Sequence, residues 1–351
     1  MTPIGPTRWA AELGLRAPVV CAPMGGVAGG RLASAVSRAG ALGMIGMGSS
    51  GSAAALEREL AEFDRANAGS GDGTAPAFGI GMVDWVLERE PAMLARALDA
   101  GPAVVSVSFG DWGTTGRGPG ERHSGERPAA PGWVSEAQRA GALAVCQVAS
   151  ADEARRAVDA GVDAVIARGL EAGGHGDHRR RRGPLLAEVL DAVGGAPVLS
   201  AGALSTREHL AGALAAGASA GWVGTAFSAC AEALTSRSAR AALIAADGSE
   251  TEVSRLVDIA LGQPWPARFP ERLLRTSFLD RWRGREDELA ADAAARAEFR
   301  AAVAAEDYSV VPLDAGLGVG ALTAVRTAAE VVSALIGDDL RNDTPAIRPH
   351  S

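Results

Sequence analysis

The chain has 351 residues, 47% of them hydrophobic, and a formal charge of −8; that is enough for one large domain or one domain with a small appendage, and the acidic balance argues against nucleic acid as the main partner. There is no run of about 18 apolar residues and no basic-then-apolar start, so neither a membrane span nor a secretory signal is expected, and the expected location is the cytoplasm. Its 34 side chains of the lysine and arginine type are all arginine, which excludes Schiff-base, pyridoxal-phosphate and P-loop lysine chemistry and leaves backbone N–H groups, hydroxyls or arginine to hold any phosphate.

In chain order, short apolar runs alternate with alanine-rich segments of helical spacing. Strands are predicted at Pro18–Ala22, Leu42–Met47, Phe78–Met82, Val104–Phe109, Leu143–Val148, Ala164–Ala167, Pro197–Ser200 and Gly221–Gly224. Helices are predicted at Gly30–Ala39, Ala53–Phe63, Ala151–Ala160, Pro184–Ala192 and Thr206–Ala216. Several helices close on Ala-Gly pairs, such as Ala39-Gly40 and Ala160-Gly161, where glycine suits a left-handed C′ position. Eight strand-then-helix units predict an α/β fold of the (β/α)8 barrel type rather than an open doubly wound sheet.

Two segments interrupt the alternation. Asp111–Gly132 is a Gly/Pro/Arg loop after the fourth strand. The stretch 232–306 is rich in Ala, Arg and Glu and predicts a small, mostly helical subdomain, inserted after the eighth strand and lying beside the barrel mouth. The barrel is thus assigned to residues 1–231 and 307–351, closed by a helix over Ala321–Ile336, with a frayed polar end. Cys21, Cys146 and Cys230 lack disulfide or metal spacing and read as buried thiols, so no metal site is expected.

In such a barrel, catalytic groups sit at the C-terminal strand ends, and a phosphate site is commonly built by the loops after strands seven and eight. The strand ends carry five motifs: Ala22-Pro23-Met24-Gly25-Gly26, Ser108-Phe109-Gly110, Glu171-Ala172-Gly173-Gly174-His175, Ser200-Ala201-Gly202 and Gly224-Thr225-Ala226-Phe227, with Gln147 within strand five. Taken alone, a Gly-Gly-His turn reads as an ordinary βα connection with a surface histidine. Its place above the barrel axis makes His175 a candidate acid/base group. The arginine run Arg179–Arg182 reads as a solvated charged helix start, Glu171 as a loop brace, and His123 and His209 as non-catalytic. Trp265 and Phe269 read equally well as substrate-side lining or as ordinary packing.

In their order and approximate spacing, these motifs resemble the nitronate monooxygenase family, formerly the 2-nitropropane dioxygenases, along nearly the whole chain. The resemblance implies an FMN-containing TIM barrel. It places the FMN phosphate on Gly173-Gly174, Gly202 and Gly224-Thr225, and the flavin ring near Met24 and Gln147. Ala22, Pro23, Arg168, Ala172 and Ser200 complete the expected cofactor-binding set. His175 matches the family's proposed base, which takes a proton from the carbon beside the nitro group. The nitronate then gives an electron to FMN, and O2 completes conversion to a carbonyl compound and nitrite.

The implied partners are therefore a small nitronate or other electron donor and O2, in a possible homodimer. The chain departs from the family pattern at three positions. Arg168 replaces a common glutamine, Gly81 a common asparagine, and Ala203 the last glycine of an Ala-Gly-Gly turn. Two alternatives stay open: an FMN-dependent NAD(P)H enoyl or quinone reductase, and a flavin-binding protein without independent turnover.

Overall fold

The computed structural model describes residues 3–68, 76–112 and 131–337. The apolar runs become parallel strands β1 (Val19–Cys21), β2 (Gly43–Met47), β3 (Phe78–Val83), β4 (Val104–Ser108), β5 (Leu143–Val148) and β6 (Ala164–Arg168). A two-residue strand, β7 (Gly174–His175), leaves the series before β8 (Val198–Ala201) and β9 (Ala220–Val223) rejoin it. The sheet order is β1-β9-β8-β6-β5-β4-β3-β2. A parallel bridge from Val20 to Leu42 joins its ends, with N–H···O distances of 2.9 Å from Cys21 to Leu42 and from Leu42 to Val19. The sheet is therefore the predicted (β/α)8 barrel.

The strand period of two sorts side chains into two layers. Val20, Met44, Val104, Val145, Ile166, Leu199 and Trp222 fill the barrel interior, and Trp9, beside the helix start at Arg8–Glu12, belongs to the same cluster and plugs the end where the strands begin. Val19, Ile45, Ile80, Val105, Cys146, Val165 and Val198 face the surrounding helices. On β5 and β6 the inward register continues to Gln147 and Arg168, which carries polar groups to the mouth.

Beyond β9, the stretch 232–306 holds helices Arg237–Ala245, Leu256–Leu261, Ser277–Trp282, Glu286–Ala291 and Ala293–Ala304, with its own core around Leu256, Leu279, Trp282 and Phe299. It also holds two strands the sequence reading did not contain, β10 (Thr251–Ser254) and β11 (Glu271–Leu274). These pair antiparallel, and β11 also takes up β7 from the barrel loop, giving a three-stranded sheet.

The last helix starts at Ala328 rather than Ala321, because Thr327 and Glu330 form a capping box that fixes its first turn. Residues 113–130 of the Asp111–Gly132 loop, including His123, lie outside the described residues. Among those described, no helix is long and apolar enough to cross a membrane.

Candidate active site

Glycines on the strands make room at the mouth. A Cβ on Gly46 would stand 2.5 Å from the Pro23 carbonyl carbon, and one on Gly81 would stand 2.1 Å from Pro23 Cγ. The Ala22-Pro23-Met24 turn can therefore fold inward over the strand ends only because these positions lack side chains. Beside it, the Gln147 backbone N–H donates to Ser108 Oγ at 3.2 Å, while Gln147 Oε1 is buried with no partner among the described residues.

The mouth opens into a cavity of about 700 Å³, within the range of small-molecule and cofactor sites. Ala22, Pro23, Met24, Gln147, Arg168, Ala172, Gly173, Gly174, His175, Gly202, Gly224 and Thr225 all line it. Ser200 does not. The alternation of β8 puts Leu199 and Ala201 on the barrel side and Val198 on the helix side, so Ser200 points outward with Val198 and is fully buried. Ala201, its neighbour, stands at the cavity wall instead.

One wall is almost all backbone. Gly202 and Ala203 have successive φ values of +123° and +49°, and Gly174 has +72°. A Cβ on Gly173 would meet the Ala315 carbonyl carbon at 2.6 Å, and one on Gly316 would meet the Glu171 carbonyl oxygen at 2.6 Å. Two chain segments thus cross in contact here, and Thr225 Oγ1 accepts from the Gly316 N–H at 3.1 Å. Glu171 acts as a brace, its Oε2 accepting from the Arg182 N–H at 2.9 Å.

Arg168 is 6% exposed, and its Nη2 donates to the carbonyls of Gly173 and Gly174 at 2.8 and 2.9 Å. Its Nη1 is buried without a partner among the described residues. Burial lowers the guanidinium to about 10, opposed by the nearby Asp314 carboxylate, so it stays charged at neutral pH. The His178 ring lies against the carbonyls of Leu170 and Gly174 at 3.3 and 3.0 Å. Burial, and then Arg168, push its pKa down to about 3, opposed by these two carbonyl acceptors.

His175 sits where the small sheet meets the barrel. Pairing of β7 with β11 sets it directly opposite Glu271, which places both side chains on one face. Its Nε2 lies 3.1 Å from both Asp258 oxygens and 3.8 Å from Glu271 Oε2. The ring stacks on Trp265 with centroids 3.7 Å apart and an interplanar angle of 11°. Trp265 is fixed in turn by its Nε1–H donating to Ser49 Oγ at 3.1 Å and by the edge of Phe109 at 4.9 Å.

Buried Glu271 is pushed well above the usual carboxylate range by desolvation and by the charges of Asp314 and Asp258. Asp314, open to the cavity, is raised as well by its desolvated surroundings, with His175 opposing the shift. Asp258, Glu271 and Asp314 line the same cavity, and sequence reasoning missed all three. The one local signal was an acidic residue inside the apolar run Leu256-Val257-Asp258-Ile259. Trp265 lines the cavity, Phe269 lines a smaller pocket beside it, and Arg268 donates to the Gly110 carbonyl at 2.9 Å.

This architecture recurs in known proteins. A family model described as nitronate monooxygenase matches residues 8–69 and 126–338. A nitronate monooxygenase of Paraburkholderia phytofirmans is 30% identical over 274 residues, covering 66% of this chain and 69% of that one. A putative monooxygenase of Mycobacterium tuberculosis is 36% identical over 155 residues, a match confined to 44% of this chain and 39% of that protein. The solved structure of a nitroalkane oxidase from Streptomyces ansochromogenes superposes with a TM-score of 0.72 at 27% identity, over 94% of this chain and 97% of that one. With most of its barrel and its histidine turn inside the two matched segments, the chain belongs to the nitronate monooxygenase family of oxidoreductases.

Proposed function

We propose that this protein is an FMN-dependent enzyme that oxidises nitroalkanes and their nitronates to a carbonyl compound and nitrite with O2. The observation that carries this reading is the placement of His175 on the wall of a cavity that also holds a cradle built almost entirely of backbone.

The residues present fit FMN. Gly173, Gly174, Gly202, Ala203, Gly224 and Thr225 offer backbone groups and a hydroxyl for a phosphate, as a chain without lysine requires. Gln147 and Arg168 line the same cavity, and Gln147 Oε1 and Arg168 Nη1 are buried polar atoms without partners among the described residues; such groups are normally satisfied in a working site. The redox chemistry, taking electrons from the substrate and delivering them to oxygen, is what bound FMN would supply.

The chain's own residues would do the rest. His175 removes the proton from the carbon beside the nitro group, a task suited to an imidazole held within hydrogen-bond reach of the substrate. Trp265 holds the ring plane by stacking, and Leu243, Val257, Leu261 and Leu273 give the subdomain side an apolar wall that excludes water. Arg168 brings a positive charge to the cavity wall for the anionic nitronate, and the burial and neighbouring carboxylates that raise the Glu271 carboxyl disfavour an opposing charge there.

The test is an absorption spectrum of the purified protein, followed by addition of propyl nitronate without oxygen and then with it. Flavin bands that bleach and recover in air with nitrite released are expected. In His175→Ala, nitroalkane turnover should be lost with flavin retained, while preformed nitronate, already deprotonated, should still react. Bands that ignore nitronate but bleach with NADPH would move the assignment to a reductase, and failure to take up FMN would overturn both.

A further inference from the structure

A buried carboxylate stands behind the candidate base. Asp258 is 4% exposed and projects from the helix Leu256–Leu261 so that both of its oxygens lie 3.1 Å from His175 Nε2. The other ring nitrogen, Nδ1, makes no hydrogen bond with any described residue, although the imidazole forms part of the cavity wall.

We propose that Asp258 is a positioning residue that fixes His175 as the Nε2–H tautomer, which makes Nδ1 the nitrogen that takes the substrate proton. The inference deepens the function proposed above and rests on His175 being the base.

The argument is one of donors and acceptors. A neutral imidazole carries one N–H and one lone pair, and a carboxylate can only accept. Turning the Nε2 lone pair toward Asp258 would set lone pair against lone pair in a buried site and leave the carboxylate unpartnered. Placing the hydrogen on Nε2 satisfies both groups, and the hydrogen bond made by one ring nitrogen then decides the state of the other. The stack on Trp265, 3.7 Å away and nearly parallel, fixes the ring plane and so the direction of Nδ1.

The proton transfer balances without any further reactant. The C–H bond beside the nitro group breaks, its electron pair stays on the substrate as the nitronate, and the proton forms an N–H bond at Nδ1. The imidazolium so formed keeps its Nε2–H on Asp258, whose charge stabilises it. Glu271, 3.8 Å from the same nitrogen, stands opposite His175 on β11 and closes that side of the ring from solvent.

The experiment has a spectroscopic and a kinetic part, both on the flavin-loaded full chain. In 15N-histidine-labelled protein, long-range 1H–15N spectra report which ring nitrogen carries hydrogen, with His175 assigned by its loss in His175→Gln. Wild type should show a protonated Nε2 and a bare Nδ1, and Asp258→Asn should lose that preference. In the same variant, kcat/KM for neutral nitroethane should fall about 10²- to 10⁴-fold, the usual contribution of a positioned base, with much smaller change for preformed ethyl nitronate. Asp258→Glu, which restores the carboxylate, should recover part of the loss.

An Nδ1–H tautomer in wild type would overturn the proposal. So would an Asp258→Asn variant that keeps the tautomer and both rates, or one that slows both substrates equally, as a merely structural role predicts. A wild-type protein inert to nitroalkanes that still shows Nε2–H would sink the base reading while supporting the assignment of Asp258 and the tautomer.

Discussion

Arg168 and Gly174 are tied across the turn that delivers the candidate base, the guanidinium Nη2 donating to the Gly174 carbonyl at 2.9 Å from the last residue of the preceding strand. The same nitrogen holds the Gly173 carbonyl at 2.8 Å. The arginine that replaces the family's usual glutamine is thus part of the scaffold beneath His175 as well as a charge at the cavity wall.

Arg168→Gln should therefore cost both stability and turnover. A shorter, neutral side chain cannot hold two carbonyls, and hydrogen bonds from charged donors are worth about 1.5–3 kcal/mol each. Relief of the buried charge offsets part of that, so a net loss of about 2 kcal/mol in chemical denaturation is expected. Nitroalkane turnover should fall more than nitronate turnover, because His175 loses its platform. A variant as stable and as active as wild type would show that the turn holds itself.

The barrel was legible because each strand announces itself locally by an apolar run, several of them after an Ala-Gly helix end, and because Gln147 and Arg168 follow the inward register of their strands. Ser200 belongs to the cofactor-binding set that the resemblance implies, while strand alternation sends it to the helix layer beside Val198. The carboxylates were not legible at all. Asp258 is 83 positions from His175, and Glu271 reaches it only through the pairing of β7 with β11, which no local periodicity in Gly174-His175 predicts. The turn around Asp314 to Leu317 entered the site by crossing Gly173, a contact visible only once two glycines are found back to back.

Glu271 makes stability depend on pH in a direction that can be worked out. Its carboxyl is held above the ordinary value of 4.5 in the folded protein, so the folded state keeps a proton that the unfolded chain gives up. Stability from this group is complete below that value and is lost as pH rises through the folded pKa. Glu271→Gln keeps the shape of the protonated acid and cannot ionise. Its melting temperature should exceed that of wild type, with a difference that grows as the pH rises above 4.5. A constant difference, or one that shrinks with pH, would show that Glu271 is ionised in the native protein.

Gly81 stands where the family often has asparagine, and here the position is closed to any side chain. A Cβ would lie 2.1 and 2.3 Å from Pro23 Cγ and Cβ, and a proline ring at a tight turn has no rotamer to retreat to. Gly81→Asn should displace the Ala22-Pro23-Met24 turn into the cavity and destabilise the fold by about 1–3 kcal/mol, the usual cost of overpacking. Weakened flavin retention on dilution is the expected companion effect. Retention and stability equal to wild type would mean that the turn can move aside freely.

Ala203 tests the cradle from the opposite side. The family's turn ends in glycine, and this chain places an alanine there at φ +49°, directly after Gly202 at +123°. The left-handed region is unfavourable for a residue with a Cβ, and glycine enters it without that penalty. Glycine also gives the unfolded chain more freedom, which offsets part of the gain. Ala203→Gly should therefore stabilise the protein by a net of about 0.5–1 kcal/mol, a reversal of the usual helix or strand result, in which glycine destabilises. Flavin affinity should be unchanged or higher, since the backbone contour at Gly202 and Ala203 is kept. A loss of stability would mean that the alanine methyl makes packing contacts worth more than its backbone strain, and the cradle would then be held by side chains and not by backbone shape alone.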